Sequence, residues 1–154
     1  DGEPLQGAEA PGLGRRVVGQ RRAARELSLQ ALYQIDMAGT EVNEALVNVL
    51  NSSNVDMKIS EFARRLVKGT VEHRKELDGI IEKKLRKWDF ARVAPVDRNI
   101  MRYAVFELLY CPDVPSKVVI NEAIEISKKY SDQESGKFIN GVLDSIRTEN
   151  KITR

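Results

Sequence analysis

From Gln20 onward, apolar residues recur every three or four positions, the period of a helix with one buried face. Ala24, Leu27, Ala31 and Ile35 form the first such stripe, widened by Leu32, and Gly39 supplies a stop. A second, shorter helix fits residues 41–50, with Val42, Leu46 and Val49 on one face, and the polar run 51–54 reads as a loop. Ser60 and Glu61 open a long periodic region to Leu85, in which a break near His73 gives two helices. Residues 86–94 carry Trp88 and Phe90 among charges and read as a connector between two halves. Pro95 suits the first turn of a helix, where its missing N–H costs nothing, and Ile100, Ala104 and Leu108 give that helix its apolar face. Residues 111–115 form a loop, after which Val119, Ala123, Ile126 and Tyr130 mark the next helix. Ser131 and Glu134 have capping-box spacing and open a last helix through Arg147. The pattern predicts an all-α bundle of six or seven helices and no strand.

Residues 1–19 break the pattern. They hold five glycines and two prolines without an apolar period, and read as a disordered leader. The expected organisation is therefore a leader over 1–19 and one helical domain over 20–150, with an N-terminal half 20–86 and a C-terminal half 95–150.

Composition narrows the function. Apolar residues make up 42% of the 154 and charged residues 31%, enough for a core beneath a solvated surface. No run approaches the ~18 apolar residues of a membrane span, and no N-terminal segment has the form of a signal peptide. One cysteine, Cys111, cannot close an internal disulfide, so a reducing cytoplasmic setting is expected. One histidine, His73, leaves little for metal binding or histidine-based catalysis. Neither a phosphate-binding glycine loop nor metal-ligand spacing occurs, and no cofactor is expected.

The formal net charge is only +2, yet residues 12–30 contain five arginines (Arg15, Arg16, Arg21, Arg22, Arg25) against the single acid Glu26. Such a cluster is an electrostatic footprint for nucleic acid, or else spare charge on a solvated helix. At ~100° per residue, Arg22 and Arg25 fall about 60° apart on the flank of the first apolar stripe, where they can track a phosphate backbone.

Three motifs then carry a resemblance. The run from Arg21-Arg22 through Arg25-Glu26 to Gln30-Ala31-Leu32-Tyr33 resembles the opening helix of the NusB family of bacterial transcription antitermination factors. So do Val118-Val-Ile-Asn121-Glu122-Ala-Ile-Glu125 and Lys137-Phe138-Ile-Asn140-Gly141-Val-Leu-Asp144. The resemblance implies seven helices in two small subdomains. It implies binding of boxA-type single-stranded RNA, jointly with a small-subunit ribosomal protein acting as NusE. In that role the complex joins RNA polymerase and suppresses premature termination, notably of ribosomal RNA operons.

On this reading Arg21, Arg22 and Arg25 contact RNA, with Lys137 on phosphate and Phe138 stacked on a splayed base. Glu134 and Ser135 read base edges. Asp97 matches an acidic position used for the protein partner, and Trp88 and Phe90 are a second candidate for that surface. Tyr33 is as well explained by burial as by RNA contact. Asn121 and Asn140 read as buried hydrogen-bonding residues, and Gly141 as a position of close helix approach. Cys111 reads as a structural thiol. Two other functions stay open: a helical adaptor that binds protein alone, and a severed NusB-like domain of an RNA cytosine methyltransferase, since these residues leave no room for the methyltransferase domain itself. A homodimer is compatible with the resemblance and is not decided by the sequence.

Overall fold

A computed structural model describes residues 13–85 and 89–154, with side chains from Gly19 onward. Within them lie seven α-helices, one 3-10 turn and no strand. The helices are α1 (Leu13–Ala38), α2 (Val42–Ser53), α3 (Met57–Glu72), α4 (Arg74–Leu85), α5 (Pro95–Tyr110), α6 (Ser116–Tyr130) and α7 (Gln133–Glu149). The 3-10 turn, Phe90–Arg92, lies in the connector, and Phe90 is buried. Trp88 lies outside the described residues.

Local chemistry explains most boundaries. Gly39 stops α1 with φ of 70°, a conformation glycine adopts without steric cost. Asp56 caps α3 by accepting from the Ile59 N–H at 3.1 Å, so this helix starts at Met57 rather than at Ser60. The break between α3 and α4 falls at His73, as the periodicity predicted. Pro95 occupies the first turn of α5.

Three further boundaries depart from expectation. Helix α1 begins at Leu13, so the backbone of residues 13–19 is helical; Gly14 and Gly19 lower helix propensity there without breaking it. The loop falls at residues 54–56 rather than 51–54, because Ser52 and Ser53 turn their hydroxyls back onto the Asn48 and Val49 carbonyls at 2.8 Å and extend α2. Left-handed Asn54 ends it. The cap of α7 is Asp132, which accepts from the Ser135 N–H at 2.8 Å, and not Ser131.

Helix α5 sits at the centre, packed against α1, α3, α4, α6 and α7. Helix α4 contacts α5 and α7 more extensively than α3, so the packing groups it with the C-terminal helices. Ile100 through Leu108 are all buried, including Arg102 and Glu107. A helix enclosed on every side must pair its charges. Arg98 and Arg102 converge on Asp36 of α1 at 2.9 and 3.1 Å, joined by the Asn99 amide at 3.0 Å. Arg102 also binds Asp78 of α4 at 2.7 Å. Burial alone would raise the Asp36 pKa, but hydrogen bonds from Arg98 and Asn99 and the charge of Arg102 outweigh it and hold it at about 2.

Close approach falls at Gly69 on α3. A Cβ there would overlap the Phe106 ring of α5, so only glycine lets these helices meet. That ring stacks in a row with Tyr110 and His73, whose rings lie 4.2 Å apart.

A candidate nucleic-acid interface on α1, α6 and α7

The basic motif of α1 meets the second motif on α6. Arg22 grips Glu122 in a bidentate pair through Nε and Nη2, the latter at 2.7 Å. This pairing holds the Arg22 guanidinium firmly protonated. The arginine remains 37% exposed, and among the described residues its Nη1 has no hydrogen-bond partner. One turn on, Glu26 accepts from Lys129 at 3.0 Å and from the Tyr130 hydroxyl at 2.8 Å, both on α6. The three-to-four spacing puts Tyr130 in line with the apolar residues Val119, Ala123 and Ile126 of its helix, yet it is exposed. Lys129 and Tyr130 thus belong to this surface, and the signal for them is the basic-aromatic run Lys128-Lys129-Tyr130.

Arg25 requires a correction. Its side chain is 1% exposed, and both Nε and Nη2 bind the buried Glu107 carboxylate at 2.8 Å. Its Nη1 lies 3.7 Å from Glu122. Desolvation works against this charge, but the paired carboxylates more than restore it. Arg25 cannot reach RNA here; it fixes Glu122, which in turn orients Arg22.

Arg21 points to another face. It stacks over the Phe62 ring at 4.2 Å and lies 3.6 Å from Asp113, which Arg65 binds at 2.7 Å. The side chains of Arg15 and Arg16 lie outside those described.

Helix α7 presents the third motif. Glu134 and Lys137 stand fully in solvent 3.7 Å apart, a surface pair worth little. Phe138 packs partly against the core and forms a wall of a groove with α4. Ser135 is half-buried and donates to Asp97 Oδ2 at 2.8 Å while sharing a 2.9 Å hydrogen bond with Ser131. Asp97 is accordingly not a solvent-facing acid: it is 6% exposed, its Oδ1 is buried without a partner, and burial pushes its carboxyl pKa up.

Three further expectations change. Asn121 and Asn140 are exposed rather than buried, and so join the accessible face. Gly141 is not a close-approach position, since a Cβ there would meet no atom within 4 Å. Tyr33 is 41% exposed, so burial does not explain it. Cys111 is buried, its thiol pushed up to about 11 by that burial, as befits a structural thiol. Among the described residues no helix is long and apolar enough to cross a membrane.

Comparison with known proteins places this arrangement in a family. The NusB family model matches residues 22–148. The transcription antitermination protein NusB of Myxococcus xanthus is 44% identical over 133 residues, covering 84% of this chain and 95% of that protein. NusB of Bacillus subtilis is 44% identical over 130 residues, covering 84% and 96%. Proteins of this kind act in transcription antitermination and are not enzymes. Among solved structures, T. maritima NusB superposes with a TM-score of 0.79 at 40% identity, covering 84% of this chain and 91% of that one. A crystal structure of antitermination factors NusB and NusE in complex with dsRNA superposes with a TM-score of 0.80 at 33% identity, covering 85% and 98%. The three sequence motifs, the seven-helix fold and these likenesses agree, and the chain belongs to the NusB family.

Proposed function

We propose that this protein is a transcription antitermination factor that binds boxA-type single-stranded RNA together with a small-subunit ribosomal protein acting as NusE. It acts in the cytoplasm by binding, without turnover. Within an RNA polymerase antitermination complex it suppresses premature termination, notably of ribosomal RNA operons. The observation that carries this reading is the joining of the α1 motif to α6 through Arg22–Glu122 and Glu26–Lys129, beside the α7 motif with Lys137 and Phe138. The related NusB seen with NusE and dsRNA supports it.

The geometry suggests a division of labour. Arg22 offers its outward Nη1 to a phosphate while Glu122 fixes the rest of its guanidinium, so little side-chain entropy is lost on binding. Lys129, held by Glu26, and the exposed Lys137 add charge along the strand, and Phe138 supplies an apolar face for a base. Glu134 accepts from a base amine at the start of α7. The start of α5 faces the protein partner, with the buried Asp97 holding Ser135 beneath that surface rather than meeting the partner itself.

Salt dependence tests this reading against the adaptor alternative. RNA association that weakens by roughly 0.7 log units per phosphate contact and per log unit of salt supports it. A protein that captures its ribosomal-protein partner but shows no salt-dependent RNA association is an adaptor.

A further inference from the structure

Gly141 lies inside α7, where glycine costs about 1 kcal/mol of helix stability relative to alanine. Packing does not require it, because the space a Cβ would take is empty to 4 Å. That space belongs to a groove of about 470 Å³ between the last turn of α4 and the outer face of α7. Its lining includes Lys83, Lys84, Lys137, Phe138, Gly141 and Ser145, with the buried apolar residues Leu85 and Val142 between them and the core.

The lining has a definite chemistry. Phe138 gives one apolar wall, Ser145 a hydroxyl, and no carboxylate is among the lining side chains. Lys83 and Lys137 are exposed, Lys137 in its weak surface pair with Glu134, while Lys84 is held 2.6 Å from Glu149. Two exposed ammonium groups beside an aromatic face, over a stretch of bare helix backbone, complement a polyanion that carries flat rings. An apolar peptide would offer neither lysine a counter-charge in the groove.

We propose that this groove is a nucleotide subsite that carries bound single-stranded RNA from α7 onto α4. One base lies against Phe138, the sugar-phosphate edge crosses the bare backbone at Gly141, and Lys83 and Lys137 flank the phosphates. Glycine here permits close approach of the nucleic-acid chain, and the stability it costs is the trace of that role. The proposal rests on the RNA-binding reading of Phe138 and adds Lys83 and Gly141 to it.

The test uses the full chain with the ribosomal-protein partner and a labelled boxA-type RNA, at several salt concentrations. Gly141→Ala is expected to melt at the wild-type temperature or higher and to bind RNA about tenfold more weakly, since the added methyl displaces a stacked nucleotide. Lys83→Ala is expected to make the slope of log affinity against log salt shallower by roughly 0.7. Wild-type RNA affinity in Gly141→Ala, with an unchanged slope in Lys83→Ala, overturns the subsite. Arg22→Ala and Phe138→Leu, measured in parallel, separate the two claims. If they lose affinity while Gly141→Ala and Lys83→Ala do not, only the subsite fails; if all four bind as wild type, the RNA surface itself is wrong. If the Gly141 and Lys83 variants lose the protein partner but keep RNA, the groove belongs to that partner and the subsite is again overturned.

Discussion

The Ser135 hydroxyl donates to the Asp97 carboxylate at 2.8 Å, which makes one hydrogen bond the meeting point of two surfaces. Ser135 stands in the α7 region assigned to RNA, and Asp97 stands at the start of α5 in the region assigned to the protein partner. Asp97 Oδ1 is already buried without a partner, so Ser135 is the main support of this carboxylate. Ser135→Ala is expected to destabilise the fold by about 1–3 kcal/mol through that unsatisfied acid. The folded Asp97 pKa lies above its usual value because burial disfavours the charge, so stability falls as pH rises from the ordinary carboxylate value through the raised folded one and is level beyond it. Asp97→Asn removes that pH dependence. A double-mutant cycle of the two in chemical denaturation checks the pair, with a coupling of about 0.5–3 kcal/mol expected.

Arg25→Ala is expected to cost about 3–5 kcal/mol of stability by leaving Glu107 buried and unpaired. The same change weakens RNA binding only indirectly, through loss of order at Glu122 and Arg22. Thermal melting of the variant measures the first effect. A melt equal to wild type contradicts the buried pair.

Asp36 gives the fold an acid-sensitive tie. Its folded pKa of about 2 lies below the unfolded 3.8, so its contribution of about 2 kcal/mol is complete above pH 4. It fades as pH falls toward 2, when protonation releases Arg98 and Arg102. Asp36→Asn is expected to be less stable than wild type at pH 7, with the gap narrowing between pH 4 and 2. Urea denaturation at pH 7, 4 and 3 follows this convergence.

Gly69→Ala places a methyl into the Phe106 ring and is expected to destabilise by about 1–3 kcal/mol through overpacking. Phe106→Leu in the same chain restores part of the loss by removing ring atoms at the crossing. Melting temperatures of the single and double variants decide it. Gly141→Ala is the control, because the same methyl there enters open space.

Periodicity located the helices well because each buries a face against neighbours, and that face repeats in the sequence. The stop at Gly39 and the break at His73 were legible for the same local reason. What escaped was set by partners distant in the chain. Arg25 looked like a solvated arginine because Glu107, its partner, lies 82 residues away. A signal existed even so: Arg25, Ser28, Leu29 and Leu32 follow the spacing of a buried face, and all four are buried. Asn121 and Asn140 were misplaced in the opposite sense, since a motif position does not tell an exposed amide from a buried one. The spare room at Gly141 could not be read at all, because it depends on where α4 ends relative to α7.

The central claim is that the α1, α6 and α7 motifs form one RNA surface, and fluorescence anisotropy of a labelled boxA-type RNA tests it most directly. The RNA is titrated with the protein alone, with its ribosomal-protein partner, and with an Arg22→Ala, Phe138→Leu double variant plus partner. The account predicts weak binding alone, tighter binding with the partner, and a loss of about tenfold or more in the double variant while its helical circular dichroism is unchanged. Wild-type affinity in the folded double variant would contradict the account.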